Sequence, residues 1–336
     1  MPTPAETTSN FGYYPRTMIN LAVISYDDPM SSIPGDVAAL GWQVVWGPAE
    51  LVDDFGVSYS RAYIAHRSTL DEYTVVIRGT NPDSWETWSL QDFDVGTTVP
   101  FNQLAPHAPS DALISTGTYN GMTDILSLAD PVTGQSIAEY LAQADPTFLY
   151  VTGHSLGGTL TPTLYAYLND VLYGGGYGHN MALFSFAGLT PGDAGFNTYF
   201  NGLGNPEFPW RYHNTLDIAP FCWWSPGDVQ NIYAPWDLSW GWPEDEFMTN
   251  LFTEAAPIGY AQPVGDWTLP GNFNPSIIDD NFWTAQAIYQ HHGTTYQSLV
   301  YAAFPVTAQT FVNFKGIRQP EPAAAIIPAD SPAGYS

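Results

Sequence analysis

The sequence predicts an α/β fold, a mainly parallel central sheet with helices on both faces and an aromatic-rich insertion. Three observations carry this. Short, continuously apolar runs recur at residues 147–152 (TFLYVT) and 181–187 (MALFSFA), as strands buried on both faces require. Helical patterns alternate with the strands, which favours parallel pairing. Between the first run and the next helix stands Gly153-His154-Ser155-Leu156-Gly157-Gly158, with small residues where a sharp turn needs them.

Taken in order, residues 1–10 are polar and are expected to fray. Residues 16–26 (RTMINLAVISY) have helical spacing, and Asp27-Asp28-Pro29 would stop that helix. Residues 59–65 and 73–78 (YTVVIR) read as strands, being β-branched and bounded by polar residues. Residues 113–128, 136–144 and 159–172 read as helices. Residues 221–247 break the alternation, holding five of the twelve tryptophans among Pro, Gly and Asp. Linkers are not so aromatic, so this is read as a structured insertion, about 221–280 in full. One domain over 1–318 and a loose Pro/Ala-rich tail over 319–336 complete the expected organisation.

Charge narrows the function. The 336 residues carry 33 acidic and 7 basic side chains, a formal net charge of −26. Charged residues make up only 12%, so the imbalance reflects missing cations, with Lys315 the single lysine. A phosphate backbone needs a Lys/Arg surface, so nucleic-acid binding is excluded, and adhesion to anionic lipid is disfavoured. Cys222 is the sole cysteine, which forbids an internal disulfide. No apolar run is long enough for a transmembrane segment. No basic residue precedes Arg16 and no apolar stretch follows the start, so no signal peptide is read; the compartment stays open between cytoplasmic and, for a mature form, secreted. Oligomeric state is not legible.

The strand–Gly-x-Ser-x-Gly–helix order marks Ser155 as a nucleophile. Such a turn lifts the hydroxyl clear of the sheet and sets it at a helix N-terminus, where N–H groups favour negative charge. The N–H of Leu156, one residue on, is one oxyanion donor. The competing reading is a glycine-rich turn with a capping serine.

GHSLGG after a buried strand, with Ile77-Arg78-Gly79-Thr80 about 75 residues earlier, resembles the class 3 lipases, the α/β-hydrolases that include filamentous-fungal triacylglycerol lipases. The resemblance runs from about Tyr73 to Tyr296. It implies that Thr80 supplies the second oxyanion donor and that residues 81–93, with Trp85 and Trp88, form a mobile lid; a fixed surface helix is the alternative. Arg78 is expected to make a structural ion pair beneath the site.

An acyl-transfer serine needs a histidine base and a carboxylate that fixes its tautomer, in the chain order Ser, Asp/Glu, His for this fold. Residues 210–220 (WRYHNTLDIAP) resemble the family strand that precedes its acid, which makes Asp217 the match, with Asp228 in reserve. Residues 289–296 (YQHHGTTY) resemble the family's terminal His followed by Tyr. The spacing leaves His291 and His292 open, and His291 is favoured. An extended segment would let only one of the two face Ser155. A metal on the paired histidines is disfavoured because no Cys or acidic cluster adjoins them. The expected activity is hydrolysis of carboxylic esters of lipids, without cofactor, on a neutral ester or lipid at a lipid–water interface. A non-lipolytic carboxylesterase or a phospholipase would use the same triad. An inactive lipid- or partner-binding module is the alternative of another class.

Overall fold

The computed structural model describes residues 4–81, 94–175, 180–203, 210–238, 244–277 and 282–305. Its strands are β1 Gln43–Val52, β2 Ser58–Arg67, β3 Glu72–Ile77, β4 Thr98–Pro100, β5 Leu113–Ser115, β6 Phe148–His154, β7 Met181–Phe186, β8 Arg211–Asn214 and β9 Asp266–Leu269. Its α-helices are α1 Pro4–Ile24, α2 Ile33–Ala39, α3 Thr116–Ser127, α4 Ile137–Ala144, α5 Leu156–Tyr173, α6 Ala194–Gly202, α7 Pro226–Asn231, α8 Glu244–Ala255, α9 Phe282–His291 and α10 Gly293–Ala303. Seven strands form one sheet in the order β1-β2-β3-β6-β7-β8-β9, while β4 and β5 make a separate ribbon. β1, β2 and β3 pair antiparallel, and every pairing from β3 to β9 is parallel. The α/β class and the mainly parallel sheet are as the sequence predicts.

Strand alternation divides the core into two layers. Ile64, Val75, Ile77, Leu149 and Val151 point to one face, where Met122 of α3, Leu141 of α4, Leu160 of α5 and Phe196 of α6 cover them. Tyr63, Val76 and Tyr150 point to the other, under Met18 of α1, Val37 of α2 and Leu299 of α10. Because both faces are dry, the central strands are apolar on both sides. The carboxyl ends of the parallel strands lie level: Ile77 pairs with Gly153, and His154 with Phe186.

Several sequence expectations are corrected. α1 begins at Pro4, within the stretch expected to fray, and Pro15 lies inside it. Residues 113–115 of the expected 113–128 helix form β5, and Ser115 then caps α3 by accepting from Thr118 N–H. β1 was unforeseen because Gly47 and Pro48 interrupt its pattern; as an edge strand with shifts in register it tolerates a proline. β9 lies within the stretch read as insertion, yet it extends the main sheet beside β8. Residues 319–336 lie outside the described residues.

At the amino end of β3, Glu72 is 1% exposed. Arg67 and Tyr14 bind its carboxylate, Tyr150 Oη donates to it at 3.3 Å, and the Arg67 guanidinium lies 4.6 Å above the Tyr13 ring. The cluster sits five strand residues, roughly 16 Å, from the carboxyl end of β3. Removing one partner of a buried ion pair strands the other, so Arg67→Met is expected to cost about 3 kcal/mol. Denaturant unfolding checks this, and adding Glu72→Gln to the same chain should recover part of the loss.

Candidate active site

β6 ends at His154, and the chain reverses into α5 through Ser155. Ser155 has φ 62° and ψ −128°, a left-handed turn that costs a side chain on the order of 1 kcal/mol and persists only when neighbours hold it. Its N–H donates to Phe186 O of β7 at 3.0 Å. Clearance comes from Gly157, where a Cβ would stand 2.4 Å from Ile77 O, so α5 lies directly on the end of β3. At Gly79 a Cβ would stand 2.4 Å from His154 O and 2.9 Å from Ser155 Cβ. Thr80 is the next residue along the chain. Leu156 opens the 18-residue α5, so its N–H belongs to the first turn, which has no intrahelical acceptor. The helix end adds a positive partial charge at the Ser155 hydroxyl.

The acid and base meet that hydroxyl in one chain of hydrogen bonds. His291 Nε2 lies 2.7 Å from Ser155 Oγ, and His291 Nδ1 lies 2.9 Å from one Asp217 oxygen and 3.1 Å from the other. A carboxylate beside Nδ1 selects the Nδ1–H tautomer, so the Nε2 lone pair faces the serine O–H. Asp217 is fully buried. Tyr296 Oη donates to it at 2.7 Å and the Ala219 N–H at 3.0 Å, which holds both oxygens. Tyr296 Oη in turn accepts from Asn214 N–H at 3.0 Å, and Asn214 Nδ2 donates to the Gln290 backbone and side chain at 2.9 and 2.8 Å. β8 and α9 are thus tied together at the residues that precede the acid and the base.

The two adjacent histidines divide their tasks. His291 is the last residue of α9, whereas His292 caps α10, its Nδ1 accepting from Thr294 N–H at 3.2 Å. The segment expected to be extended is a junction between two helices. The structure brings Ser155, Asp217 and His291 together, and leaves His292 exposed on the cap.

Arg78 departs from expectation. Among the described residues no carboxylate lies within ion-pair distance of it; one guanidinium nitrogen donates to Ser58 O at 3.0 Å, and its buried Nε has no partner. Burial, then the neighbouring Arg61, draw its pKa down to about 10, so it stays cationic at neutral pH. Asp228, the reserve acid, bonds Ser225 Oγ in the first turn of α7, while Asp217 takes the histidine. Trp85 and Trp88 lie outside the described residues. Sequence reasoning missed the structural weight of Tyr26, His154 and Asn214. His154 was in view inside the motif, and its one signal was a polar ring at a position the fold buries.

Residues 74–223 match the family model described as lipase (class 3). The likeness to the class 3 lipases thus extends over that stretch of the chain. The matched span includes Thr80, Ser155, Leu156 and Asp217 and ends before His291. Across 89% of this chain and 92% of the other, the fold is similar to the crystal structure of M37 lipase, with 26% identity and a TM-score of 0.67. It is also similar to Lip2 lipase from Yarrowia lipolytica, with 17% identity and a TM-score of 0.52 over 80% of each chain, which speaks to the fold. No curated protein matches the chain in sequence. The family match and the likeness to M37 lipase make the chain a carboxylic ester hydrolase of the α/β-hydrolase fold.

The two histidines are separable by mutation. His291→Ala should lower kcat for ester hydrolysis by about 10³-fold or more, as loss of a triad member does. His292→Ala should cost about 1 kcal/mol of stability through the lost cap and leave kcat within about threefold. Steady-state kinetics and thermal unfolding of the pair decide it; a dead His292→Ala with an active His291→Ala reverses the assignment.

Proposed function

We propose that this lipase hydrolyses the carboxylic esters of neutral lipids with Ser155 as nucleophile, His291 as base and Asp217 as the acid that orients it. The observation that carries the reading is the continuous Asp217–His291–Ser155 hydrogen-bond chain at the end of β6. Ser155 Oγ attacks the ester carbonyl as His291 Nε2 takes its proton. The imidazolium so formed faces Asp217, which stabilises it without accepting the proton. The carbonyl oxygen becomes an oxyanion between the N–H groups of Leu156 and Thr80, whose alignment before reaction is what lowers the barrier. His291 returns the proton to the departing alcohol, and water then repeats the sequence on the acyl-enzyme.

Charge selects among esters. With 33 acids and 7 basic residues, the chain has few cations to attract an anionic head group. At least four of those cations are engaged elsewhere: Arg61 with Glu50, Arg67 with Glu72, Arg211 with Asp266, and Arg16 over the Tyr301 ring. Uncharged acylglycerols fit this field better than acidic phospholipids. Among the described residues no helix is long and apolar enough to cross a membrane. The reading treats 1–318 as one catalytic domain with residues 319–336 as an appendage.

The test is an ester panel from two-carbon to eighteen-carbon acyl chains, in solution and as emulsions, with Ser155→Ala as control. Activity on long-chain emulsions, reduced by about 10⁴-fold or more in the control, is expected. A maximum at two to four carbons with no turnover of emulsions would make it a non-lipolytic esterase. A preference for anionic phospholipid would overturn the charge argument.

A further inference from the structure

The triad accounts for the side chain of His291 but not for what holds its backbone. That backbone contact runs through His154, the residue before the nucleophile. His154 Nε2 lies 2.8 Å from the backbone oxygen of His291. Its ring is 4% exposed and lies 5.2 Å, centroid to centroid, from the His291 ring. Tyr26, just beyond α1, places its Oη 3.2 Å from His154 Nδ1 and 3.1 Å from the His154 backbone oxygen. Tyr296, which donates to Asp217, stands edge-on to the same imidazole at 5.3 Å.

These contacts fix the protonation of His154 by elimination. A carbonyl oxygen can only accept, so Nε2 must carry the hydrogen. In a neutral imidazole Nδ1 is then an acceptor, and the single Tyr26 hydroxyl proton is shared between it and the His154 backbone oxygen. Complete burial, and secondarily the neighbouring His291, hold the His154 pKa well below the usual histidine range, in keeping with a neutral ring. A second cation so near His291 would oppose the imidazolium that forms when Ser155 gives up its proton.

We infer that Tyr26 and His154 form a positioning brace: the Tyr26 hydroxyl holds the ring and backbone of His154 in place, and the His154 Nε2–H holds the His291 backbone at its distance from Ser155. The inference rests on the triad reading. Its logic is covalent economy, because His154 is bonded directly to Ser155 and hydrogen-bonded directly to His291. Nucleophile and base are thereby referenced to one peptide segment, although they lie 136 residues apart. A displacement of either would be felt as lost alignment of the attacking pair and not as lost ester affinity.

The test compares His154→Phe, which keeps the ring and removes the donor, with His154→Gln, which keeps an N–H donor, and with Tyr26→Phe. In His154→Phe, kcat and the acylation burst with a p-nitrophenyl ester should fall roughly 10- to 100-fold, with KM changed by less than about threefold. His154→Gln should recover most of that loss. Tyr26→Phe should show a smaller loss of the same kind, and it guards against a His154→Phe chain that does not fold. The low-field proton resonance of His291 Nδ1–H, recorded without substrate, should be sharp in wild type and His154→Gln and broadened or shifted in His154→Phe. Because that resonance needs no turnover, it reads the brace even if wild type hydrolyses no ester, a result that would sink the proposed function instead. Equal losses in the Phe and Gln variants, or an unchanged resonance and full burst rate in Tyr26→Phe and His154→Phe, would overturn the brace.

Discussion

Everything in the site depends on the reversal of the chain at Ser155. A residue with a side chain is held at φ 62° because its N–H is bonded to β7 and its flanks are clear. That clearance is atomic: α5 touches the end of β3 at Gly157, and the segment after β3 touches the turn at Gly79. The same two contacts that permit the turn pack the residues next to Leu156 and Thr80 against the ends of β3 and β6. On the proposed reading, nucleophile and oxyanion donors are products of one packing solution. The strain on Ser155 is offset by the core beneath it, where β3, β6 and β7 are buried on both faces.

The acid and base are assembled by a different logic. Asp217 follows β8, and His291 ends a helix more than seventy residues later, so neither is fixed by local sequence. Polar contacts between the segments do the work: Asn214 reaches the residue before His291, and Tyr296 on α10 reaches both Asn214 and Asp217. The turn after β8 and the aromatic stretch beyond it also join in, with Ala219 N–H on Asp217 and Tyr233 Oη donating to Leu216 O at 2.7 Å. Tyr233 packs with Trp283 and Ala287 of α9 in the same small cluster. That stretch is thus a wall that sets the spacing of acid and base, as well as a source of exposed rings such as Trp224 and Trp236.

How much of this could be read beforehand follows from the range of the interactions. Ser155 and Leu156 were legible because strand, turn and helix are contiguous and the glycines are demanded locally. Asp217 was legible through likeness to a known strand and its following turn. That His291 and not His292 lies beside Ser155 was only half legible, since one helix ends and another begins between them. Gly293 and Thr294 carry that signal, but an apolar pattern does not. β1 and β9 were hidden because edge strands tolerate Pro48 and a short, half-polar DWTL. The ion pair expected for Arg78 failed because charge scarcity says nothing of placement: Glu50, the nearby acid, is taken by Arg61.

The most direct test of the central claim is peptide mapping by mass spectrometry after treatment with a fluorophosphonate. Such a reagent phosphonylates only a serine whose proton a base removes and whose developing charge is held. One phosphonyl group per chain, on the peptide that carries Ser155, is the predicted result, with none after His291→Ala. Labelling of another residue, or no labelling of the folded wild-type protein, would contradict the account.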